Sequence, residues 1–278
     1  MKTTGHLGEL RAIIERWGGE EQTVALVPTM GNLHAGHLAL VEEAGRQADR
    51  VVVSIFVNPT QFGPGEDFAS YPRTQEADLA ALERVGCDLV WLPAVAQMYP
   101  LDSPFMVQVP EILADRLCGA SRPGHFDGVA SVVLRLFNQV RPDIAVFGEK
   151  DFQQLVIVRR LVEDLALAID VVGLTTVRDR DGLAMSSRNA YLDESERARA
   201  PELYRVLVET AAALRNGADF EALKAYSLEQ LEAAGFRPDY LEWRSAEHLG
   251  AAQVGESSRL FAAAWLGKAR LIDNVPVN

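Results

Sequence analysis

The chain has 278 residues, of which 48% are hydrophobic and 24% are charged, and its formal net charge is −12. This composition is typical of a globular protein with one large or two modest domains, and it excludes a disordered chain or a coiled coil. The acidic balance and the lack of a Lys/Arg cluster argue against a nucleic-acid partner. Apolar runs are too short to span a membrane or to form a signal peptide, so we expect a soluble, cytoplasmic protein.

Predicted strands and helices alternate over roughly the first 175 residues, a pattern typical of α/β proteins. Residues 23–28 (TVALVP) and 51–57 (VVVSIFV) resemble buried strands, and the segment between them has apolar residues at helical spacing. The pattern repeats, with predicted helices at 74–86, 129–140 and 151–167 that lead into predicted strands at 88–92, 144–148 and 169–177. These βαβ units predict a Rossmann-like, doubly wound parallel sheet.

The alternation ends at residues 178–192, a polar segment with an Asp-Gly turn signal. Two long helical patterns follow, at 194–216 and 219–234. After them, the segments YLEWRS, RLFAAAWL and ARLIDNV predict the strands of a small antiparallel sheet. We therefore predict a first domain over 1–176 and a smaller α+β domain over 177–278.

The cysteine content is too low for a zinc tetrad or a disulfide framework, because the chain contains only Cys87 and Cys118. Cys87, in the segment VGCDLV, is predicted to be a small buried residue beside a strand. Neither cysteine is a strong candidate for a direct functional role.

The most informative local pattern is PTMGNLHAGH, residues 28–37, which follows the first strand of the βαβ pattern. In open α/β sheets ligands bind beyond the carboxyl ends of strands, where loops lead into helix N-termini. His34 and His37 are three residues apart and would face the same side of the first helical turn. Three interpretations stay open from the residues alone: a metal site, a phosphate site, or a helix start with incidental histidines. Phosphate is favoured over zinc because no third ligand has a recognisable spacing.

This segment resembles the His-x-Gly-His signature of the nucleotidyltransferase superfamily, and its longer form is similar to that of the pantothenate synthetase family. Four more stretches agree with that family, in the same order and at compatible spacing: 56–73 (FVNPTQFGPGEDFASYPR), 121–129 (SRPGHFDGV), 147–155 (FGEKDFQQL) and 185–192 (MSSRNAYL). The resemblance covers about residues 22–192 by motif and the C-terminal domain by position and size. Five collinear stretches are far more specific than the histidine signature alone.

The resemblance implies a reaction and its substrates. The family condenses (R)-pantoate with β-alanine at the expense of ATP and yields pantothenate, AMP and pyrophosphate through a pantoyl adenylate. By resemblance we expect this activity here, with Mg²⁺ bound mainly to the ATP phosphates and with a homodimeric assembly. The alternatives are another nucleotidyltransferase with the same histidine signature, or a non-catalytic ATP-binding protein.

The resemblance also implies roles for individual residues. The implied ATP-binding residues are Met30, Gly31, Asn32, Leu33, His34, Ala35, Gly36, His37, Gly148, Glu149, Lys150, Asp151, Val177, Met185, Ser186, Ser187 and Arg188. Those with implied catalytic roles are His37, His34, Lys150, Ser186, Ser187 and Arg188. His37 is the implied proton or hydrogen-bond donor to the phosphates, and Arg188 can bind two phosphate oxygens at once.

For the remaining substrates, the resemblance assigns Gln61 and Gln154 to pantoate and Gln61 also to β-alanine. An amide suits this task because it both donates and accepts hydrogen bonds without a net charge. Met30 and Phe62 are expected to form an apolar wall for the gem-dimethyl group, and Arg122 and His125 to line the same site. Asp78 is the expected Mg²⁺ ligand from the protein.

Plainer interpretations of some of these residues are compatible with the sequence. Asp151 and Gln154 have the spacing of a helix cap and its partner, so capping alone would explain them. The segment MSSRN could be an ordinary polar turn. Lys150 could be a solvated charge, although a cation is disfavoured at a helix start unless an anion binds there.

Overall fold

The structure is a computed structural model that describes residues 1–66, 68–253 and 255–277. Its strands are β1 (Lys2–Thr4), β2 (Val24–Thr29), β3 (Arg50–Ile55), β4 (Leu89–Trp91), β5 (Ile144–Gly148), β6 (Asp170–Leu174), β7 (Arg237–Ser245), β8 (Ser258–Leu266) and β9 (Ala269–Pro276). Its helices are α1 (Leu7–Gly19), α2 (Ala35–Gln47), α3 (Gln75–Arg84), α4 (Val95–Met98), α5 (Glu111–Ala114), α6 (Cys118–Ser121), α7 (His125–Val140), α8 (Phe152–Asp164), α9 (Glu194–Arg199), α10 (Glu202–Arg215) and α11 (Phe220–Ala233). Short 3-10 helices cover Pro59–Gln61, Glu149–Asp151 and Ser187–Tyr191. In these described ranges no helix is long and apolar enough to cross a membrane.

The first compact unit contains a parallel sheet with the strand order β1-β4-β3-β2-β5-β6. Val51, Val52 and Val53 of β3 are each at most 3% exposed. Such continuous burial of β-branched residues is expected where helices cover both faces of a parallel sheet. The predicted Rossmann-like α/β fold is therefore confirmed. The sequence patterns did not predict β1 and α1, although β1 extends the sheet by pairing with β4.

Two predicted helices differ from those observed. The pattern at 194–216 was predicted as one helix, but α9 ends at Arg199 and α10 begins at Glu202. The single-helix prediction was wrong because Pro201 has no backbone N–H to continue the hydrogen-bond ladder. Helix α7 begins four residues earlier than predicted, directly after Gly124, whose φ of +77° is a left-handed conformation.

The second compact unit contains the antiparallel sheet β7-β8-β9, as the three C-terminal strand patterns predicted. Its core is formed by one face of this sheet together with α10 and α11. Leu207 of α10, Leu231 of α11 and Leu260 of β8 are each at most 1% exposed within that core. The predicted small α+β architecture at the C-terminal end is therefore present.

The domain bounds 1–176 and 177–278 do not describe the two units fully. A division of the chain near residue 176 is present, but Glu111–Ser121 and Lys150–Val156 group with the second unit. Hydrogen bonds from Gln153 explain part of this grouping. Its amide accepts from the Cys118 N–H at 3.0 Å and donates to the carbonyls of Leu113 and Arg116 at 2.9 and 2.8 Å. Contacts between segments so far apart in the chain leave no local pattern in the sequence.

Candidate active site

The sheet of the first unit reverses its strand order between β2 and β5, which are parallel neighbours. Ligands of open α/β sheets bind at such a point, beyond the carboxyl ends of the strands. Residues 30–37 follow β2, Gly148 ends β5, and Gln61 follows β3, the other neighbour of β2. The topology therefore brings these predicted site residues, with Glu149, to one edge of the sheet.

The loop that follows β2 has an unusual backbone, because Gly31 and Asn32 both adopt left-handed conformations, with φ of +79° and +52°. The buried carboxylate of Asp78, in the first turns of α3, holds this backbone. Its Oδ2 accepts from the Asn32 N–H at 2.9 Å and its Oδ1 from the Leu33 N–H at 2.8 Å. The Thr74 hydroxyl also donates to Oδ1, at 3.1 Å. Successive N–H groups that converge in this way form an anion-binding nest, and here the anion is the protein's own carboxylate.

His34 and His37 stand at the start of α2, as the sequence predicted, with His34 in the N-cap position. Their rings lie with centroids 4.0 Å apart. The His34 N–H donates to Nδ1 of His37 at 3.4 Å. Because Nδ1 accepts this hydrogen bond, the proton of a neutral His37 resides on Nε2.

The amide of Gln61 has a defined orientation, which a neighbouring buried amide sets. Asn58 is 1% exposed, and its Nδ2 donates to the Gly128 carbonyl at 3.1 Å and to Oε1 of Gln61 at 3.0 Å. Its Oδ1 accepts from the Thr60 N–H at 3.4 Å and from the Tyr99 hydroxyl at 2.7 Å. A carbonyl can only accept and an N–H can only donate, so these contacts fix which end of the Asn58 amide is which.

Because Oε1 of Gln61 accepts from Asn58, the other end of the amide is its NH₂ group. That nitrogen lies 3.3 Å from the sulfur of Met30. The 3-10 helix that carries Gln61 packs closely on α7, since a Cβ added to Gly128 would lie 2.3 Å from the Thr60 carbonyl oxygen. Only glycine leaves room for this approach.

Arg122 and His125 hold the backbone of Gln61 from the start of α7. Nδ1 of His125 lies 2.7 Å from the Gln61 carbonyl, and its Nε2 lies 2.8 Å from Nη1 of Arg122. Arg122 also forms a two-pronged ion pair with Glu66, at 2.8 and 2.6 Å. The hydrogen bonds from Arg122 lower the pKa of the Glu66 carboxyl below its ordinary value. Phe62 packs edge-on against Tyr71, with centroids 5.9 Å apart.

The other predicted site residues lie in the second unit: Lys150, Asp151, Gln154, Val177, Met185, Ser186, Ser187 and Arg188. Lys150 and Asp151 form a 3.7 Å ion pair in the 3-10 helix before α8. Gln154 is half-buried in the first turn of α8, whereas its neighbour Gln153 is buried and bonded to backbone.

Residues 177–185 form a turn, and the MSSR segment leads from it into the 3-10 helix Ser187–Tyr191. The Met185 N–H donates to the Val177 carbonyl at 3.0 Å, and Arg178 pairs with Ala184 in an antiparallel bridge. Oγ of Ser186 accepts from the Arg188 N–H at 3.3 Å and so caps the 3-10 helix. The polar-turn interpretation therefore describes the backbone of this segment.

The surroundings of Cys87 are those of a residue with a structural role. Cys87 is buried, as predicted, and burial raises the pKa of its thiol to about 12. A thiol with so high a pKa is a poor nucleophile and a poor metal ligand at neutral pH. Across residues 1–66, 68–253 and 255–277, no group of three or more His, Cys, Asp or Glu side chains is arranged to hold a metal ion.

Comparison with known proteins decides the family. A family model described as pantoate-beta-alanine ligase matches residues 2–276, which is nearly the whole chain. The chain belongs to the pantoate–β-alanine ligase family. The resemblance inferred from the five motifs is thus confirmed.

Individual relatives agree over their full length. Proteins named pantothenate synthetase from Pseudomonas savastanoi pv. phaseolicola and Thiobacillus denitrificans are 53% and 54% identical to the chain, over 99% and 100% of it and 98% and 97% of their own lengths. A solved pantothenate synthetase from Thermus thermophilus has 48% identity and a TM-score of 0.93, with 100% of this chain and 99% of that one covered. A pantoate-beta-alanine ligase from Francisella tularensis, solved with "Beta-gamma ATP and Beta-alanine", has 31% identity, a TM-score of 0.84, and coverage of 100% and 98%.

Sequence reasoning missed two residues that support the candidate site residues of the first unit, Asn58 and Gly128, and it gave Asp78 a different role. Asn58 precedes a proline, a pattern that favours a turn and could have marked it as a cap. Gly128 interrupts a helical pattern, which signals a close backbone approach. The hydrogen bonds of Asp78 to the histidine loop had no sequence signal, because 45 or more residues separate the partners.

Proposed function

We propose that this chain activates (R)-pantoate with ATP and then joins it to β-alanine, giving pantothenate, AMP and pyrophosphate. The observation that carries the proposal is the histidine loop, residues 30–37, at the strand-order reversal of a sheet whose family match spans the chain. Helix α2 begins within this loop, so its first N–H groups add a partial positive charge at the same place.

In the first step a pantoate carboxylate oxygen attacks the α-phosphorus of ATP. A new P–O bond forms, the bond from the α-phosphorus to the bridging oxygen breaks, and pyrophosphate leaves with the electron pair. No general base is needed because a carboxylate is ionised at neutral pH. The barrier lies in bringing two anions together and in the charge on the leaving group, so catalysis depends on positioning and on electrostatic stabilisation.

The first unit supplies part of this stabilisation. His37, with its proton on Nε2, donates a hydrogen bond to the phosphates, and His34 is its partner at the helix start. Gly36 lets the phosphate chain approach the backbone closely. Gly31 makes room for the carboxylate of Asp78 and for Ile55, each of which would lie 3.0 Å from an added Cβ. Gly148 and Glu149 contribute to the nucleotide site from the carboxyl end of β5.

The second unit supplies cations and hydroxyls. Lys150 is assigned to the α-phosphate or pyrophosphate oxygens, and Arg188 to two phosphate oxygens through its planar guanidinium. Ser186 and Ser187 donate hydroxyl hydrogen bonds to the phosphates. Asp151 is assigned to the ribose. Val177 and Met185, which the 3.0 Å backbone hydrogen bond joins, border the nucleotide.

In the second step the β-alanine amine attacks the acyl carbon of pantoyl adenylate. A C–N bond forms, the C–O bond to AMP breaks, and the amine loses a proton to solvent. The Gln61 NH₂ group, oriented by Asn58, suits an acceptor oxygen such as the pantoate hydroxyl or a substrate carboxylate. Gln154 is the second amide contact with pantoate, and Met30 and Phe62 provide apolar surface.

Magnesium is proposed to bind chiefly to the ATP phosphates, where it would offset their charge. Magnesium usually keeps several waters and takes one or two protein carboxylates. Asp78 was the expected protein ligand, but both of its oxygens accept hydrogen bonds from the loop backbone. We therefore assign Asp78 to holding the loop instead of to binding the metal.

The oligomeric state and the cellular location are also proposals. A homodimer is supported by the family resemblance, and a cytoplasmic location by the ordinary globular composition and the low cysteine content. The proposed partners are ATP, pantoate and β-alanine, without nucleic acid or membrane.

The activity is tested by AMP release from purified protein with ATP, Mg²⁺, pantoate and β-alanine, each omitted in turn. AMP that forms only with the complete set supports the ligase reaction. Pyrophosphate release that continues when another carboxylate or phosphate acceptor replaces pantoate would indicate a different nucleotidyltransferase. ATP binding without turnover, measured by calorimetry, would indicate a non-catalytic ATP-binding protein.

A further inference from the structure

Strand β9 of the second unit carries two adjacent buried polar residues, Asp273 and Asn274, which are 4% and 2% exposed. Neighbouring residues of a strand point to opposite faces of its sheet. Asp273 shares a face with Leu271 and Val275, which belong to the hydrophobic core of the unit. An acid at such a position is costly to bury unless it is paired.

Asp273 is paired with Arg178, the first residue after Val177. Nη1 and Nη2 of Arg178 donate to the two carboxylate oxygens at 2.6 and 2.8 Å. Nη1 also donates to the Gly182 carbonyl at 3.1 Å, and the guanidinium lies 3.7 Å from the centre of the Tyr204 ring. A planar guanidinium held on both edges and one face has little freedom, so the start of the 178–184 turn is fixed to β9.

Asn274 is bonded to the segment that carries Lys150. Its Nδ2 donates to the Lys150 carbonyl at 3.0 Å, and its Oδ1 accepts from Nε of Arg259 at 2.7 Å. The Arg259 guanidinium in turn lies 4.2 Å from the centre of the Phe152 ring, two residues beyond Lys150. The Lys150 backbone is therefore fixed to the opposite face of the same strand.

We propose that Asp273 and Asn274 are positioning residues that set the spacing between the two phosphate-binding segments of the second unit. They act through Arg178 and through the Lys150 backbone, and they touch no substrate. The proposal rests on the assignment of Lys150 and Arg188 to ATP made above. Because they are consecutive residues of one strand, they hold the Lys150 backbone and the turn before the MSSR segment at a fixed distance from each other.

The energetics favour positioning over stability as the role of these residues. A buried ion pair often contributes less to stability than well-packed apolar residues of the same size would. Asn274 is also buried, and an apolar residue in its place would not itself require hydrogen-bond partners. Catalysis, in contrast, is sensitive to displacements of about 1 Å, which can lower the rate about a hundredfold.

The test uses Asn274→Asp, which keeps an oxygen for Arg259 but loses the donor to Lys150, and Asp273→Asn, which weakens the pair with Arg178. Steady-state kinetics are measured with each of the three substrates varied. We expect kcat/KM for ATP to fall by about tenfold to a hundredfold, with KM for β-alanine unchanged. If Asp273→Asn does not fold, Arg178→Lys replaces it, because it keeps the charge and loses the two-pronged geometry.

Ser227→Ala is the matched control. Ser227 is buried in the same unit and its hydroxyl lies 2.7 Å from that of Thr210, between α11 and α10. We expect this variant to lower Tm but to leave the kinetics unchanged, so general destabilisation is separated from positioning. Two results for the β9 variants would overturn the proposal. One is an equal loss of kcat/KM for all three substrates, and the other is a lower Tm with unaltered kinetics.

Lys150→Ala and Arg188→Ala, measured alongside, separate this proposal from the site assignment. If both leave the ATP kinetics unchanged, the assignment itself fails. If both impair ATP use while the β9 variants do not, the assignment stands and the positioning role is rejected.

Discussion

The carboxylate of Asp78 holds Asn32 in a left-handed conformation, with its Oδ2 2.9 Å from the Asn32 backbone nitrogen. A left-handed conformation is disfavoured for residues with a Cβ, which crowds the backbone, and asparagine tolerates it better than most of them. The buried carboxylate offsets this cost. It therefore fixes the backbone that leads to His34 and His37 before any phosphate binds.

We expect Asp78→Asn to lower kcat for adenylate formation about tenfold to a hundredfold, because a misplaced loop no longer aligns its donors. The amide of the variant has one acceptor oxygen, whereas the carboxylate of Asp78 has two, one for the Asn32 N–H and one for the Leu33 N–H. Pyrophosphate release is the measurement, over a range of Mg²⁺ concentrations. A positioning role predicts an unchanged half-saturating Mg²⁺ concentration, whereas a rise in that concentration would restore Asp78 as a metal ligand.

His37→Ala should reduce kcat for adenylate formation by about a hundredfold to a thousandfold, the usual effect of losing one preorganised donor to developing charge. The fold should persist, because the side chain of His37 stands at a helix start, where its 3.4 Å backbone contact is weak. Thermal unfolding checks the fold and single-turnover pyrophosphate release checks the chemistry. Near-normal turnover would remove His37 from the mechanism.

Gly128→Ala should destabilise the protein by about 1–3 kcal/mol, as overpacking in a core does. The added Cβ would meet the Thr60 carbonyl oxygen and displace the 3-10 helix that carries Gln61. KM for pantoate should rise together with the loss of stability. Urea unfolding and pantoate saturation curves measure the two effects.

Gly45→Ala provides the contrast for that experiment. Gly45 lies inside α2, where an added Cβ would come no closer than 3.8 Å to Val51. Alanine there should stabilise the helix by about 0.5–1 kcal/mol. If both alanine variants change stability alike, the close approach of the Thr60 backbone is not the reason that residue 128 is glycine.

Glu66→Gln should change how stability depends on pH. Because Arg122 lowers the pKa of folded Glu66, the ion pair contributes stability that is fully present above the unfolded pKa of about 4.3. It is lost as the pH falls through the folded value. We expect the variant to be less stable by about 1 kcal/mol at pH 7 and to approach the parent protein at lower pH.

Urea unfolding of the parent and of Glu66→Gln at several pH values from 7 down to 3 measures this difference. Arg122→Gln should remove the same pH-dependent contribution, since it deletes the other partner of the pair. A stability difference that does not change with pH would show that the ion pair is not its source.

The sequence predicted the strands that precede the candidate site residues of the first unit, and less of what supports these residues. The histidine loop and Gln61 follow predicted strands and Gly148 ends another, since strand pattern and motif position are local features. The break at Pro201 was missed because the helical periodicity continues through it. Gln153 and Gln154 look alike in sequence, yet only the contacts of Gln153 with Cys118, Leu113 and Arg116 show that it has a structural role.

The sequence by itself determined the α/β class, the small C-terminal sheet and the family, because hydrophobic periodicity and contiguous motifs are written in neighbouring residues. Only the tertiary structure decided which side chains hold the site in place. Asp78, Asn58 and the pair Asp273 and Asn274 form hydrogen bonds across separations of 45, 70 and more than 90 residues. Hydrogen bonds between such distant residues depend on how strands and helices pack, and that packing leaves no periodic signal in the chain.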